Sequence, residues 1–286
     1  MSGVLRLGTR GSRLALWQAE WVQAALARQG VAAELVVVKT RGDAEVDRPL
    51  RELEGKAFFT KEIEDELLGG RIDAAVHSLK DLPTRLPDGL ALGAVPARAD
   101  PAEALVTREA GVAGLAALPG GAKVGTSSLR RVAQIRYLRP DLEIVALRGN
   151  VPTRVQKVAE GRDGLAAALL AAAGLERLEL GGRIAARLDP LVVMPAPGQG
   201  ALGLEVRSDD RPTRAALGGG CQAPVAAYVG NRDSGLGARL FGRVTALDGS
   251  VQITASADIG DADPAAAGVA VADLLKAQGA SRLLAR

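Results

Sequence analysis

Short apolar segments alternate with helix-like segments along most of this chain, and the alternation limits the folds that it can adopt. Val4 to Gly8 is a short apolar segment, Ser12 can cap the helix that follows it, and that helix can end at Gly30. A second helix can begin at Thr60 and lead into the apolar segment Ile72 to Val76. This order predicts an α/β fold with largely parallel sheets.

The first helix and the segment after it carry recognisable apolar patterns. Leu14, Trp17, Trp21 and Ala25 share one face of the helix. The segment Ala33 to Lys39 is predicted to be a buried strand, since it is rich in valine and leucine.

A second series of strands and helices begins after a loop-like stretch at residues 96–101. Its principal helix is predicted from Ser127 or Ser128 to Arg139, where Pro140 stops it, and a strand is predicted over Glu143 to Leu147. The series therefore repeats the design of the first one.

The tail of the chain has a different pattern. From Ala223 onward, alternating strands meet at Asp248-Gly249, a strong hairpin signal, and a helix is predicted from Pro264 to Gln278. Before this tail, Leu191 to Gly200 is strand-like and then breaks into prolines and glycines, which suits a crossing between domains.

The patterns together predict three domains in a chain of 286 residues, of which 48% are hydrophobic. Residues 1–97 and 194–217 are predicted to form a discontinuous α/β domain, and residues 98–193 a second α/β domain of similar design. Residues 218–286 are predicted to form a small α+β domain. The fold class expected is two similar α/β domains of the periplasmic-binding-protein type around a cleft, with the α+β domain added.

Composition narrows the classes of partner and compartment. The chain has 36 basic and 33 acidic side chains, a net charge of +3, and only 2% aromatic residues, so nucleic-acid binding is not favoured. A single cysteine excludes an intrachain disulfide, and the first residues lack an apolar signal, which favours the cytoplasm. The longest uncharged stretch, Gly164 to Leu175, is too short to span a membrane.

Two strand-to-helix turns have similar sequences. Gly8-Thr9-Arg10-Gly11-Ser12 and Gly125-Thr126-Ser127-Ser128 each follow a strand and open a helix. Each turn would direct backbone N–H groups and a positive helix end toward a shared cleft, which suits carboxylates. The alternative is that both turns are ordinary helix caps.

The segment His77 to Pro83 follows an apolar strand, whose carboxyl end faces the ligand crevice of an open α/β sheet. Asp81 could stabilise a cation or donate a proton there, and Lys80 could pair with an anion. The alternative is a structural His77 beside an ordinary surface pair of Lys80 and Asp81.

Arginines recur at successive strand-to-helix turns of the second series. Arg130 and Arg131 lie in the first turn of a helix, where cations are unfavourable unless an anion lies among them. Arg148, Arg154 and Arg177 repeat the theme further along the chain. They are predicted to converge on one crevice, although a solvated basic rim is the alternative.

Other motifs are less informative. Gly198 to Gly203 fits G-x-G-x-x-G, but prolines precede it and a strand-like segment follows it, which argues against a dinucleotide site. One histidine and one cysteine cannot build a usual zinc site, so no metal is expected. Cys221 follows three glycines, and such a loop would leave its thiol sterically accessible. The alternative is that Cys221 is a small buried hydrophobe, as most free cysteines are.

Taken together, these segments resemble the porphobilinogen deaminase family over nearly the whole chain. The matching stretches are Thr9 to Ala15, Lys56 to Lys61, His77 to Pro83, Gly125 to Arg131, Leu147 to Arg154, Ala171 to Leu178, Pro197 to Ala201 and Gly219 to Cys221. The resemblance implies a transferase that condenses four porphobilinogen molecules head to tail with loss of ammonia. The product is hydroxymethylbilane, a linear tetrapyrrole. It also implies a dipyrromethane cofactor that is held by a thioether to Cys221.

The resemblance assigns a role to each matching residue. Asp81 matches the catalytic acid and base. The positions matching cofactor contacts are Cys221, Lys80, Thr126, Ser127, Ser128, Arg130 and Arg131. The positions matching substrate contacts are Arg10, Ser12, Arg148, Arg154, Arg177 and Gln199. Arginine suits these sites because its guanidinium group can form two parallel hydrogen bonds to one carboxylate.

The chain departs from the family pattern at one place. Only Ala215 to Gly218 stand where the family carries a further helical segment, shortly before Cys221.

The expected partner is the small-molecule substrate, with neither nucleic acid nor membrane, and the expected state is a monomer. The alternative function is a non-catalytic module of the same architecture that binds small anions.

Overall fold

A computed structural model describes residues 4–40, 60–208, 225–230, 239–259 and 264–284 of the chain. The strands are β1 (Leu5–Arg10), β2 (Ala33–Val38), β3 (Ala74–Ser78), β4 (Leu90–Ala94), β5 (Glu103–Thr107), β6 (Lys123–Gly125), β7 (Glu143–Val145), β8 (Leu165–Ala171), β9 (Ala186–Leu188), β10 (Leu202–Arg207), β11 (Val225–Gly230), β12 (Arg239–Thr245) and β13 (Gln252–Asp258). The α-helices are α1 (Arg13–Ala27), α2 (Lys61–Leu68), α3 (Leu129–Leu138), α4 (Val151–Ala159), α5 (Ala172–Arg177), α6 (Pro264–Ala277) and α7 (Ala280–Leu284).

The first and second units are built on sheets with the same topology. The first sheet has the order β2-β1-β3-β10-β4 and the second has the order β7-β6-β8-β5-β9. In each sheet the first three strands run parallel, and the fourth runs antiparallel to both of its neighbours. The predicted fold class, two similar α/β units, is therefore confirmed.

The chain passes between the two sheets twice. β10 belongs to the first sheet although it follows the whole second unit in sequence, and β5 carries the chain into the second sheet. The two connections, residues 95–102 and 189–201, therefore run between the units. The predicted boundaries at residues 97/98 and 193/194 fall within these connections and stay predictions, and the boundary at 217/218 lies outside the described residues.

Apolar side chains cover both faces of the first sheet. One cluster, which includes Leu7, Ala19, Val22 and Val76, packs α1 against the sheet, and a second around Ile63 packs α2 on the opposite face. Both faces of the second sheet are likewise covered. Two covered faces are what parallel strands require.

The third unit is an antiparallel sheet of order β11-β12-β13 with α6 packed on one face. The hairpin between β12 and β13 turns at Asp248-Gly249, as the sequence predicts, and Gly249 has a φ of 79°. Leu240, Val244 and Val271 are in its core. The predicted α+β tail is confirmed in the part of it that the structure describes.

Two local predictions for the first unit are refined. Trp17 and Trp21 share a face of α1, but the residues that are fully buried there are Gln18, Ala19 and Val22. The two tryptophans are only partly buried and line a cavity. The predicted buried strand is β2, which stands at the edge of the first sheet, so Glu34 and Val37 are exposed and its other side chains are half-buried.

The strand-like beginning of the segment Leu191 to Gly200 does not form a strand, because residues 191–201 form turns and irregular structure. The backbone of Met194 finds its partner in a side chain instead of a neighbouring strand. Gln134 Oε1 accepts from Met194 N at 2.8 Å, and Gln134 Nε2 donates to Met194 O at 3.0 Å. Apolar Val193 and Met194 are buried here, which explains their strand-like sequence.

We predict that Gly200→Ala destabilises the protein, because the two connections meet at this glycine. Gly200 has a φ of +87°, and an added Cβ would lie 2.5 Å from Ala99 O. The expected loss is about 2 kcal/mol or more in the free energy of unfolding, measured by urea denaturation. Gly182→Ala is the control, since a Cβ there meets nothing within 4 Å. Equal stability of the two variants would contradict the prediction.

Candidate active site

The first unit contributes the carboxyl end of β3 to the site. A 3-10 turn, Leu79–Asp81, follows β3 directly, and Leu79 N donates to Ala201 O at 3.0 Å. Asp81, Arg10 and Ser12 line one cavity of about 70 Å³. Residues from two neighbouring parallel strands thus meet at the carboxyl edge of the sheet, where α/β proteins bind ligands.

The start of α1 is fixed beside this cavity. Ser12 caps the helix, and its Oγ accepts from Ala15 N at 3.3 Å. Gln18 Nε2 donates to Ser78 Oγ at 2.9 Å and so joins α1 to the end of β3. The positive end of α1 therefore faces the cavity that Arg10 and Asp81 line.

In the second unit, the equivalent turn after β6 carries the predicted hydroxyl groups. Thr126 Oγ1 accepts from Ser128 N at 3.2 Å. Ser127 Oγ donates to Leu147 O at 3.0 Å and accepts from Leu147 N at 3.2 Å. Both hydroxyl groups hold the turn in shape. Ser128 is the N-cap residue of α3, and its side chain makes no capping hydrogen bond.

Arg130 and Arg131 are buried and share one carboxylate, that of Glu103 at the start of β5. Arg130 Nη2 pairs with Glu103 Oε1. Arg131 donates to Glu103 Oε2 from Nη2 at 2.7 Å and from Nε at 3.0 Å. Two arginines at the start of a helix need a nearby anion, and Glu103 provides it. The two arginines and the one carboxylate together still carry one net positive charge.

The pKa of Glu103 reflects this pairing. Burial alone would raise the pKa of the carboxyl group, but the charges of Arg131 and Arg130 outweigh burial and lower it to about 2. Lys80 of the first unit also lowers this pKa. Glu103 is therefore ionised throughout the neutral range, and the charge of Lys80 reaches it from across the two units.

Arg154 is the clearest sign of excess positive charge. It lies in α4, where its Nε donates to Gly149 O at 2.7 Å. Burial, together with the charges of Arg131 and Arg148, lowers its pKa to about 10, while the charge of Asp81 acts in the opposite direction. Cations of the second unit thus lie within electrostatic reach of one another and of Asp81.

Gln199 and Lys80 lie where the first unit meets the connections. Gln199 is fully buried, its Nε2 donates to Pro101 O at 2.8 Å, and its Oε1 accepts from Lys80 Nζ at 3.2 Å. Arg98 Nε donates to Gln199 O at 2.7 Å. The amide of Gln199 therefore places Lys80 beside the connection that leads into the buried Glu103.

Arg177 is placed apart from the other predicted residues. Its Nη2 donates to Gly200 O at 2.7 Å, and its guanidinium lies 5.6 Å from the centre of the Trp17 ring. It lines a separate cavity of about 300 Å³ with Trp21 and Glu176, among others. The described residues that line the cavity of Asp81 do not include Arg177.

The remaining predictions have mixed outcomes. Cys221 lies outside the described residues. β10 follows the G-x-G-x-x-G segment where a dinucleotide site needs a helix, as the sequence indicated. No helix in the part of the chain that the structure describes is long and apolar enough to cross a membrane. The same part holds no group of three acidic, histidine or cysteine residues able to bind a metal.

Two carboxylates that are buried on strands have no counterpart among the sequence predictions. Glu103 is the counter-ion of two arginines, and Glu205 on β10 lies 3.1 Å from His77 Nε2. Each stands at or in a largely apolar strand, and charged groups are seldom buried without a partner. A glutamate within an apolar strand was therefore the signal that could have predicted both.

The geometry defines a class of protein: two α/β units whose cleft collects arginines at the carboxyl ends of its strands, opposite one aspartate. The family model described as porphobilinogen deaminase, dipyromethane cofactor binding domain, matches residues 5–215. The chain is 46% identical to the porphobilinogen deaminase of Moorella thermoacetica, with 98% of this chain and 95% of the relative covered. It is 47% identical to that of Syntrophotalea carbinolica, with 99% and 96% covered. The chain therefore belongs to the porphobilinogen deaminase family.

Solved structures with a similar backbone were also found. One is the second substrate binding domain of a putative amino acid ABC transporter from Streptococcus pneumoniae, with a TM-score of 0.47, 13% identity, and 73% of this chain and 87% of that chain covered. Another is the periplasmic aliphatic sulphonate binding protein of Escherichia coli, with a TM-score of 0.41, 16% identity, and 73% and 63% covered.

We predict that Glu103→Gln leaves two buried guanidinium groups without their anion. The expected loss in the free energy of unfolding is roughly 3 to 5 kcal/mol at pH 7. The pKa of Glu103 falls from 4.5 to about 2 on folding, so its contribution is present above pH 4.5 and is lost as the pH falls toward 2. Glu103→Gln should therefore flatten the stability profile between these pH values.

Glu143→Gln is the matched control, because Glu143 is an exposed carboxylate whose oxygen lies 3.7 Å from Lys123 Nζ. We expect it to change the free energy of unfolding by less than about 0.5 kcal/mol. Urea denaturation at several pH values measures both variants. A Glu103→Gln protein as stable as Glu143→Gln would show that the two arginines do not depend on this carboxylate.

Proposed function

We propose that the cleft between the two α/β units condenses four porphobilinogen molecules head to tail and releases hydroxymethylbilane. The observation that supports this most is the group of cations around the buried Arg154, where the charges of Arg131 and Arg148 add to burial in lowering its pKa. A buried site with excess positive charge suits a ligand that brings carboxylates. Each porphobilinogen carries two carboxylates, so the demand grows with every ring added.

The residues of the cleft also fit the dipyrromethane cofactor. The cofactor supplies the pyrrole ring to which the first substrate is joined. We propose that Cys221 holds it and that Arg130 and Arg131, with Lys80, bind its carboxylates. The net positive charge that remains on the arginines beside Glu103 supports this assignment, since an added carboxylate would offset it. Thr126, Ser127 and Ser128 would complete this site through their turn.

Asp81 is the proposed acid and base. It lies at the end of β3 in the same cavity as Arg10 and Ser12. The acid form would protonate the leaving amine, and the carboxylate would then stabilise the cation left when ammonia departs. The α-carbon of the terminal pyrrole would then bond to the exocyclic methylene carbon of that cation, and the proton that this α-carbon loses would return to Asp81. The aspartate thus needs only one fixed position to serve each addition.

The predicted substrate contacts divide between the units. Arg10 and Ser12 lie beside Asp81, and Arg148 and Arg154 act from the second unit. Gln199 would act by placing Lys80. Arg177 is proposed to bind substrate from the cavity beside Trp17, a position that would suit a ring farther from Asp81.

We further propose that the protein works in the cytoplasm as a monomer and without nucleic acid. The low aromatic content of 2% and the small net charge of +3 support the last point.

Intact mass tests the proposed function directly. We expect the purified wild-type protein to exceed its sequence mass by that of a dipyrromethane and to react with Ehrlich's reagent. Cys221→Ser should have the mass of its sequence alone and should make no product. A wild-type protein that has neither added mass nor activity after incubation with porphobilinogen would favour an anion-binding module.

Asp81→Asn is predicted to keep the fold and the cofactor but to lower kcat by about a hundred-fold or more, because neither proton transfer nor a negative charge remains. Product formation, circular dichroism and intact mass measure the three properties. Asp88→Asn is the control, since Asp88 is exposed in the loop before β4. Turnover by Asp81→Asn near that of Asp88→Asn would remove Asp81 from the mechanism.

A further inference from the structure

A buried arginine of the third unit, Arg243 on β12, contacts the chain outside its own sheet. It is only 8% exposed. Its Nη2 donates to Leu191 O at 2.7 Å and its Nη1 to Val192 O at 3.0 Å, whereas its Nε donates to Thr254 Oγ1 on β13 at 3.1 Å. One guanidinium therefore joins the third unit to the connection that leads from the second unit to the first.

The oxygens that Arg243 contacts belong to carbonyl, amide and hydroxyl groups. A fourth contact joins Nη1 to Gln134 Oε1 of α3 at 3.4 Å. Burial lowers the pKa of Arg243, but an arginine stays charged at neutral pH. The rigid fork reaches several carbonyl groups at once, which the single ammonium group of a lysine cannot do. The arrangement is thus specific for arginine.

Gln134 continues the contacts of Arg243 toward the cleft. Its amide bonds both the N and the O of Met194, and Arg130 Nη1 donates to the same Met194 O at 2.6 Å. Arg130 in turn pairs with Glu103. A continuous series of buried polar contacts therefore runs from β12 to the two arginines at the start of α3.

We propose that Arg243 is a positioning residue that sets the third unit against Arg130 and Arg131. The inference rests on the proposed function, in which the third unit holds the cofactor by Cys221 while the arginines bind its carboxylates. Arg243 is paired across the sheet with Ala226, which follows Cys221 by five residues in sequence. A cofactor that is attached to the third unit and bound by arginines of the second unit requires these two units to keep a fixed relative position.

The test uses the full chain with three substitutions. Arg243→Leu removes the contacts, and Arg243→Lys keeps the charge with fewer donors. Arg239→Leu is the control, because Arg239 lies on the same strand and its Nε is 3.5 Å from Asp258 Oδ1 within the third unit. The measurements are amide hydrogen exchange at residues 191–194 and the rate at which each apo-protein, supplied with porphobilinogen, gains the cofactor mass.

We expect Arg243→Leu to speed exchange at residues 191–194 and to slow cofactor acquisition, each by about ten-fold, since charge-assisted hydrogen bonds are lost. Arg243→Lys should lie between Arg243→Leu and the wild type, and it carries the test if Arg243→Leu does not fold. Arg239→Leu should match the wild type in both measurements.

Three outcomes would overturn the proposal. Faster exchange with normal cofactor acquisition in the Arg243 variants would leave the residue a purely structural one. An equal defect in Arg239→Leu would assign the effect to general weakening of the third unit. A wild-type protein that never gains the cofactor mass would overturn both this proposal and the proposed function, whereas the first two outcomes leave the proposed function intact.

Discussion

The pairing of one buried carboxylate with two buried arginines determines how the cleft is built. Glu103 is the first residue of β5, the strand that carries the chain into the second sheet. Arg130 and Arg131 lie in the first turn of α3. Neither side could be buried alone, because an unpaired charge loses several kcal/mol of hydration. The pairing therefore fixes the start of α3 to β5 and still leaves net positive charge at the helix end, where anions are favoured.

The shared topology of the two sheets explains why both units contribute to this cleft. β1 and β6 occupy the same place in their sheets, and each is followed by a turn that opens a helix toward the carboxyl edge. The first unit places Asp81 at this edge, and the second places cations there. Because the chain crosses twice and the connections touch at Gly200, the two edges are held facing one another by hydrogen bonds such as Ala99 N to Gly200 O at 3.2 Å.

The sequence predicted most of the fold but only part of the site. Strand-helix alternation and the cap at Ser12 are local signals, and the structure has the corresponding helix. Residues 191–194 have a strand-like sequence but form no strand, because the backbone of Met194 bonds to the amide of Gln134, which is distant in sequence. Glu103 was missed for the same reason. Its partners follow it by 27 and 28 residues, and a pattern of neighbours along the chain does not reveal them.

The buried arginines of this chain differ in what their guanidinium groups contact. The charge of Arg131 helps to lower the pKa of Arg154, so the surroundings of Arg154 are rich in positive charge. Arg243 is about as buried as Arg130 and Arg131, yet its contacts are carbonyl, amide and hydroxyl oxygens that join separate parts of the chain. Burial of an arginine therefore does not identify a ligand site by itself. What points to one is the balance of charge, because Arg130 and Arg131 share the single carboxylate of Glu103.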